Sequence, residues 1–405
     1  MKVLFVNTVC GQGSTGNIVV GLLSLLKTKG HSGKVAFGFG GANKVCHDEG
    51  YKIVTQKEYY THNIWTRITD REGLFSNKQT KRFLDEIVKF NPDIVHLHNL
   101  HGHYINYELL FAFLKKINKP VVWTFHDCWS FTGHCAHFAT VGCDKWKTKC
   151  TGCVQTRQYP TCNTVIGNAA GNYAKKKAAF NGVENLTIVT PSRWLGDLVK
   201  QSFLKDYPVQ VINNGIDLSV FKPKESDFRK KYNCEDKFIL LGVAFDWGIR
   251  KGLDVFTELA KRLDNKYQIV LVGTNDKIDK QLPDNIISIH RTHDQAELAE
   301  IYSDVDLFVN PTREENYPTV NMEAVACGTP VLTFCTGGSP EILDDTCGSV
   351  VSCDDIDALE REIHRIAEER PFTKADCLKR AQHFDMNARF GEYIELYKRV
   401  LENGQ

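Results

Sequence analysis

The sequence predicts an α/β protein built on two doubly wound parallel sheets. Three observations point there. Residues 306–341 alternate strand, helix, strand and helix, the pattern of parallel strands joined by right-handed crossovers. The chain opens on an apolar strand, residues 1–9, and a glycine loop follows it. A length of 405 residues exceeds one typical core, so two domains are expected.

Net charge is +1, which offers no global field for nucleic acid, and no nucleic-acid partner is expected. Lys2 precedes only a short apolar run, unlike a secretory signal. No apolar stretch approaches the roughly 20 residues of a membrane span. The expected location is cytoplasmic, with peripheral contact at the inner membrane face as a further option. No cationic amphipathic segment stands out as an anchor.

The first glycine loop is Gly11-x-Gly13-Ser14-Thr15-Gly16, with a helix expected from Asn17. Ile18, Leu22, Leu25 and Leu26 then share one face. Such a loop lets a ligand approach the backbone. A dinucleotide site would want an acid after the second strand, residues 34–37, but Gly38-Phe39-Gly40-Gly41 follow instead. Residues 58–90 read as charged helix and loop with no interpretable motif.

The strand at 93–98 carries His96 and His98 on one face, and His101 and His103 follow. The segment has no carboxylate or thiol between them, so substrate contact or packing is favoured over metal. A helix at 107–116 leads to a strand at 120–125, which ends in His126-Asp127.

Cys128, Cys135, Cys143, Cys150, Cys153 and Cys162 then crowd residues 128–162. Within them, Cys135-x7-Cys143-x6-Cys150-x2-Cys153 has the composition of a structural zinc site, with His134 and His137 as alternative ligands. Reduced packing thiols and a disulfide are the alternatives, and a reducing compartment argues against the disulfide. A strand at 186–190 leads to Ser192, placed to cap the next helix. Residues 209–217 close the first half.

The second half restarts with a strand at 238–244. Arg250-Lys251-Gly252 precede a helix at 253–263, and two adjacent cations there suit a diphosphate. Strands at 269–273 and 286–290 and a helix at 295–302 lead to a strand at 306–309. Pro318 suits the first turn of the next helix, Gly328 ends it, and Pro330 prevents its resumption. After the strand at 331–334, Ser339 is expected to cap a further helix. Glu315 precedes the helix and Glu323 lies inside it. Amide groups around residues 317–320 attract an anion. Two carboxylates flanking a phosphate site suit a ligand with phosphates in the middle and hydroxyls at both ends. Charged helix at 357–369 and an amphipathic segment at 387–401 complete the chain.

Glu315-x7-Glu323, with Ala324, Cys327-Gly328-Thr329-Pro330-Val331 and Gly337-Gly338-x-x-Glu341, resembles the donor site of retaining glycosyltransferase family 4, a GT-B fold. Thr124-x-His126-Asp127 and residues 209–223 are similar to other motifs of that family. Residues 126–153, with Trp129-x-Phe131-Thr132-Gly133, resemble bacterial exopolysaccharide glycosyltransferases of the colanic acid type.

The resemblance implies two Rossmann-like domains facing across a cleft. They are an acceptor-side domain at 1–205 with the cysteine-rich insertion 128–162, and a nucleotide-sugar domain at 206–385. A helix at 386–405 returns to the first. It implies that Glu323 holds the donor ribose, and that Glu315 and His126 lie at the donor sugar. Asn316, Tyr317, Pro318 and Thr319 would surround the diphosphate, with Arg250 and Lys251 as its cations and Gly13 and Gly16 facing it. Many relatives have an Arg where this chain has Asp246, so Arg250 is expected to substitute for it.

The implied reaction moves a sugar from a nucleotide-diphosphate sugar to an acceptor hydroxyl with retained configuration and no catalytic cofactor. The implied acceptor is a saccharide or lipid-linked saccharide of surface polysaccharide synthesis. A nucleotide-sugar epimerase or sugar phosphorylase of the same fold is the alternative enzyme. A non-catalytic sugar-binding protein is the other.

Overall fold

In the computed structural model, residues 1–41, 44–163 and 167–403 are described. The chain divides into two compact units. One comprises Met1–Asn213 with Phe390–Gln405, the other Asn214–Arg389.

Among the described residues, the first unit holds a sheet of seven strands. They are β1 (Lys2–Cys10), β2 (Ser32–Gly40), β3 (Gly50–Lys52), β4 (Ile94–Leu97), β5 (Val121–Thr124), β6 (Leu186–Thr190) and β7 (Val209–Val211). Their order is β3-β2-β1-β4-β5-β6-β7, and every pairing is parallel. β4 and β5 are buried throughout, which suits strands covered on both faces. The second sheet holds β8 (Phe238–Val243), β9 (Tyr267–Val272), β10 (Ile286–Ile289), β11 (Leu307–Asn310), β12 (Val331–Phe334) and β13 (Gly348–Val351). Its order is β10-β9-β8-β11-β12-β13, again parallel. Both orders reverse direction once, between β1 and β4 and between β8 and β11. Crevices at such reversals are where doubly wound sheets bind ligands.

Three local expectations change. The first helix, Gly13–Thr28, starts at Gly13 and not at Asn17, so Gly13 and Gly16 lie in its first turn. A Cβ on Gly16 would sit 3.1 Å from the Gly11 amide and 3.2 Å from a Val9 methyl, so that glycine serves close packing of helix on strand. Pro318 is the N-cap of the helix Thr319–Ala326, just outside its first turn. Ser339 does not cap the following helix. Gly338 does, and Ser339 lies inside Ser339–Ile342 with its hydroxyl buried and unpartnered. Gly328 has the expected left-handed backbone, with φ of +90°.

Cys10 and Cys46 form a disulfide. It ties the end of β1 to the short helix Lys44–Asp48. The final helix, Met386–Asn403, places Tyr397 and Tyr393 in the first unit's core, where they meet His96 and Thr124.

Candidate active site

In the second unit, three loops meet at the carboxyl ends of β8, β11 and β12, beside the reversal point. The turn after β8 carries Ile249, Arg250 and Lys251. Gly252 follows it with φ of +76°, and a Cβ there would stand 2.5 Å from the Pro311 carbonyl. Glycine is therefore what lets this turn lie against the loop after β11. The Arg313 amide donates to the Arg250 carbonyl at 2.9 Å. The loop after β12 closes the group. A Cβ on Gly337 would fall 1.6 Å from the Glu315 carbonyl, and the Gly338 amide donates to the Asn316 carbonyl at 2.8 Å. The glycine pair of the sequence motif thus fixes the backbone that carries Glu315.

Within this frame the Lys251 ammonium is paired with the Glu315 carboxylate. Arg250 is half-buried at the same turn. Asn316, Tyr317 and Pro318 are buried, and Thr319 is half-buried at the helix start. Glu323 is buried one turn on. Tyr302 donates to its carboxylate at 3.4 Å, and Thr319 also bonds it. Burial pushes the Glu323 carboxyl up to about 7, with those two bonds opposing the shift. Asn321, fully buried on the same helix, accepts from Asn310 at 2.7 Å while its own amide nitrogen has no partner.

Sequence reading missed the Lys251–Glu315 pair, and it missed Tyr302, which lies on the helix Gln295–Asp304 with no motif around it. It also missed Arg313, which pairs with Asp254 at 2.8 Å and Asp354 at 2.7 Å and braces the loop after β11.

In the first unit, His126 follows β5. Its Nε2 lies 3.0 Å from His98 Nδ1, with the two rings stacked. His98 in turn packs on His96, which meets Tyr397 at 2.6 Å and Thr124 at 2.8 Å. Burial lowers His126 to about 4 and holds His96 and His98 well below the usual range, so all three are neutral near pH 7. Burial works against charge on Asp127, but His101 at 2.8 Å and the Trp129 amide hold it down to about 2. His101 also meets the Tyr159 hydroxyl at 2.7 Å. The four histidines therefore serve different partners, and His103 binds Glu72 at 2.6 Å.

Cys135, Cys143, Cys150 and Cys153 line one small cavity with His134, Phe138 and Trp146. The Gly133 amide donates to Cys150 Sγ at 3.2 Å, and Cys135 bonds Cys153. His134 turns away to Asp70 at 2.5 Å. Among the described residues, the three-ligand groups within 4.8 Å of one another are His62–Glu72–His103 and Asp276–Asp279–His290, and the four thiols are not among them. Glu72 already accepts the Gly102 and His103 amides, His103 Nδ1 and the Thr66 hydroxyl. Its carboxylate is saturated as a structural anchor.

Family models match both halves of the chain. The model described as Glycosyltransferase Family 4 covers residues 17–220, half of the chain, and that described as Glycosyl transferases group 1 covers residues 236–369. The chain is a member of glycosyltransferase family 4. It is an enzyme of the GT-B fold.

Among curated relatives, WcaC of Escherichia coli (strain K12), named as a colanic acid biosynthesis glycosyl transferase, is 26% identical over 88% of each chain. The N,N'-diacetylbacillosaminyl-diphospho-undecaprenol alpha-1,3-N-acetylgalactosaminyltransferase of Campylobacter jejuni is 26% identical over 56% of this chain and 63% of its own. Of the solved structures, Anabaena HepE in complex with UDP matches with a TM-score of 0.70 at 13% identity, over 98% of this chain and all of that one. The lipopolysaccharide glycosyltransferase WaaG matches at 0.66 and 16% identity, over 98% of this chain and 99% of its own.

Proposed function

We propose that this glycosyltransferase moves a sugar from a nucleotide-diphosphate sugar to an acceptor hydroxyl with retention of anomeric configuration, in the synthesis of a bacterial surface polysaccharide. The observation that carries the donor reading is the three-loop cluster at the second reversal point. There the turn with Arg250 and Lys251, the Lys251–Glu315 pair and the start of the helix that carries Glu323 lie on adjoining loops. The names of the two relatives support polysaccharide synthesis and a saccharide or lipid-linked acceptor.

Arg250, Lys251 and the amides at the start of Thr319–Ala326 would bind the diphosphate and stabilise the charge that grows on it as the donor bond breaks. Glu323 would accept bonds from the ribose hydroxyls as a carboxylate. Glu315 would orient the donor sugar once Lys251 turns to phosphate. The role proposed for His126 is also with the sugar, as a neutral hydrogen-bond partner and not as a countercharge. The bond from the anomeric carbon to the diphosphate oxygen breaks, the acceptor oxygen bonds that carbon on the same face, and the acceptor proton passes to the leaving diphosphate oxygen. No side chain is assigned as a covalent nucleophile, and no cofactor enters the reaction.

For the cysteine segment we propose a structural zinc held by Cys135, Cys143, Cys150 and Cys153. Four thiols around one cavity and an amide aimed at Cys150 support this. The site would staple residues 135–153 and take no part in the reaction.

The test of the reaction is product stereochemistry. NMR of the product should show the anomeric configuration of the donor, and inversion would overturn the retaining assignment.

A further inference from the structure

The helix Gln56–Thr69 is inverted. Its inward face is polar. His62 and Thr66 are buried, with His62 bonded to Ser76 at 2.8 Å and Thr66 to the buried Glu72 at 2.9 Å. Its outward face is apolar. Tyr60, Ile64, Trp65 and Ile68 are 51%, 56%, 50% and 53% exposed, and the helical period places them together opposite His62 and Thr66. Scattered exposed apolar residues are ordinary, but four on one helix face mark a contact surface.

The charges around this face indicate what covers it. On and just after this helix, Lys57, Arg67 and Arg71 are all exposed. The acids of the same stretch are withdrawn. Asp70 and Glu72 are buried in hydrogen bonds, and Glu58 is half-buried and bonded to Gln79 and Arg82. The solvent-facing charge beside the apolar stripe is therefore cationic. A second copy of the chain docked face to face would set these cations against one another. Among the described residues no helix is long and apolar enough to cross a bilayer. An aromatic and aliphatic stripe edged by Lys and Arg is the composition of a helix that lies in an anionic lipid interface.

We propose that the outward face of Gln56–Thr69 docks the enzyme on an anionic membrane surface, with Ile64, Trp65 and Ile68 entering the headgroup–acyl boundary and Lys57 and Arg67 facing the lipid phosphates. A lipid-linked acceptor would fit this location, but the surface stands without that reading.

The experiment is co-sedimentation of the full-length protein with vesicles of phosphatidylcholine alone or mixed with phosphatidylglycerol, at low and high salt. Binding is expected only to the anionic vesicles, and it should fall with added salt. I64S/W65S/I68S should weaken it about tenfold or more, and K57E/R67E should weaken it by a similar factor. All five side chains are solvent-exposed, so melting temperatures should hold, and the charge-reversal pair serves if the triple variant is poorly soluble. No anionic binding, or binding that both variants retain, would overturn the proposal. So would a concentration-dependent dimer that the triple variant abolishes, since the face would then belong to a second copy. Vesicle binding requires no donor and donor binding requires no vesicle, so either reading can fail without the other.

Discussion

Lys251 and Glu315, 64 residues apart in sequence, form an ion pair at the mouth of the second sheet, with each side chain about four-fifths buried. The cation assigned to the diphosphate and the carboxylate assigned to the donor sugar hold each other. An arriving diphosphate would draw Lys251 away and leave Glu315 to the sugar. E315Q should then lower kcat about a hundredfold, whereas K251M should chiefly raise KM for the donor. Because each variant also strips the other residue of its partner, the double variant should cost less than the product of the single effects. Steady-state kinetics of the four proteins checks this. Full turnover in E315Q would remove Glu315 from the site.

Glu323 links pH to both stability and binding. Burial pushes its carboxyl up to about 7 from 4.5, so the folded protein holds a proton there that the unfolded chain releases. Stability from this group is therefore present below about pH 4.5 and declines as pH rises towards 7. E323Q removes the buried charge, and at pH 8 it should raise the melting temperature, by a free energy of up to roughly 3 kcal/mol. The same variant should bind the donor nucleotide more weakly, and wild-type affinity should fall as pH drops below 7. Thermal melts and titrations at pH 6 and 8 read both. An unchanged melting temperature at pH 8 would contradict the buried-charge account.

The cysteine site predicts sensitivity to chelation. A strong chelator should lower the melting temperature of the purified protein, and one zinc per chain should be released on unfolding. Cys150→Ser should remove the metal. A melting curve indifferent to chelator, with no metal released, would leave four packing thiols around that cavity.

Much of the second unit was legible because its signals are local. Gly328 and Pro330 end one helix within three residues, and the alternation through β11, Thr319–Ala326 and β12 is periodic. The contacts that finish the site are not local. Tyr302 reaches Glu323 from another helix, and Gly337 serves the Glu315 carbonyl across a loop. No spacing rule encodes such pairs. Gln56–Thr69 was opaque for a different reason. Its polar residues face inward to Glu72 and its apolar residues face solvent, so a pattern read as core-facing hydrophobicity has the wrong sign there. The histidines in and after β4 looked like one cluster in sequence, yet the backbone sends them to Tyr397, His126, Asp127 and Glu72.

The most direct test is calorimetric titration of the purified protein with UDP, GDP and ADP, repeated on K251M and E323Q. The account predicts that one nucleotide binds and that both substitutions weaken it. If none of the three binds, or if the binding ignores both substitutions, the nucleotide-sugar site does not lie where these loops meet.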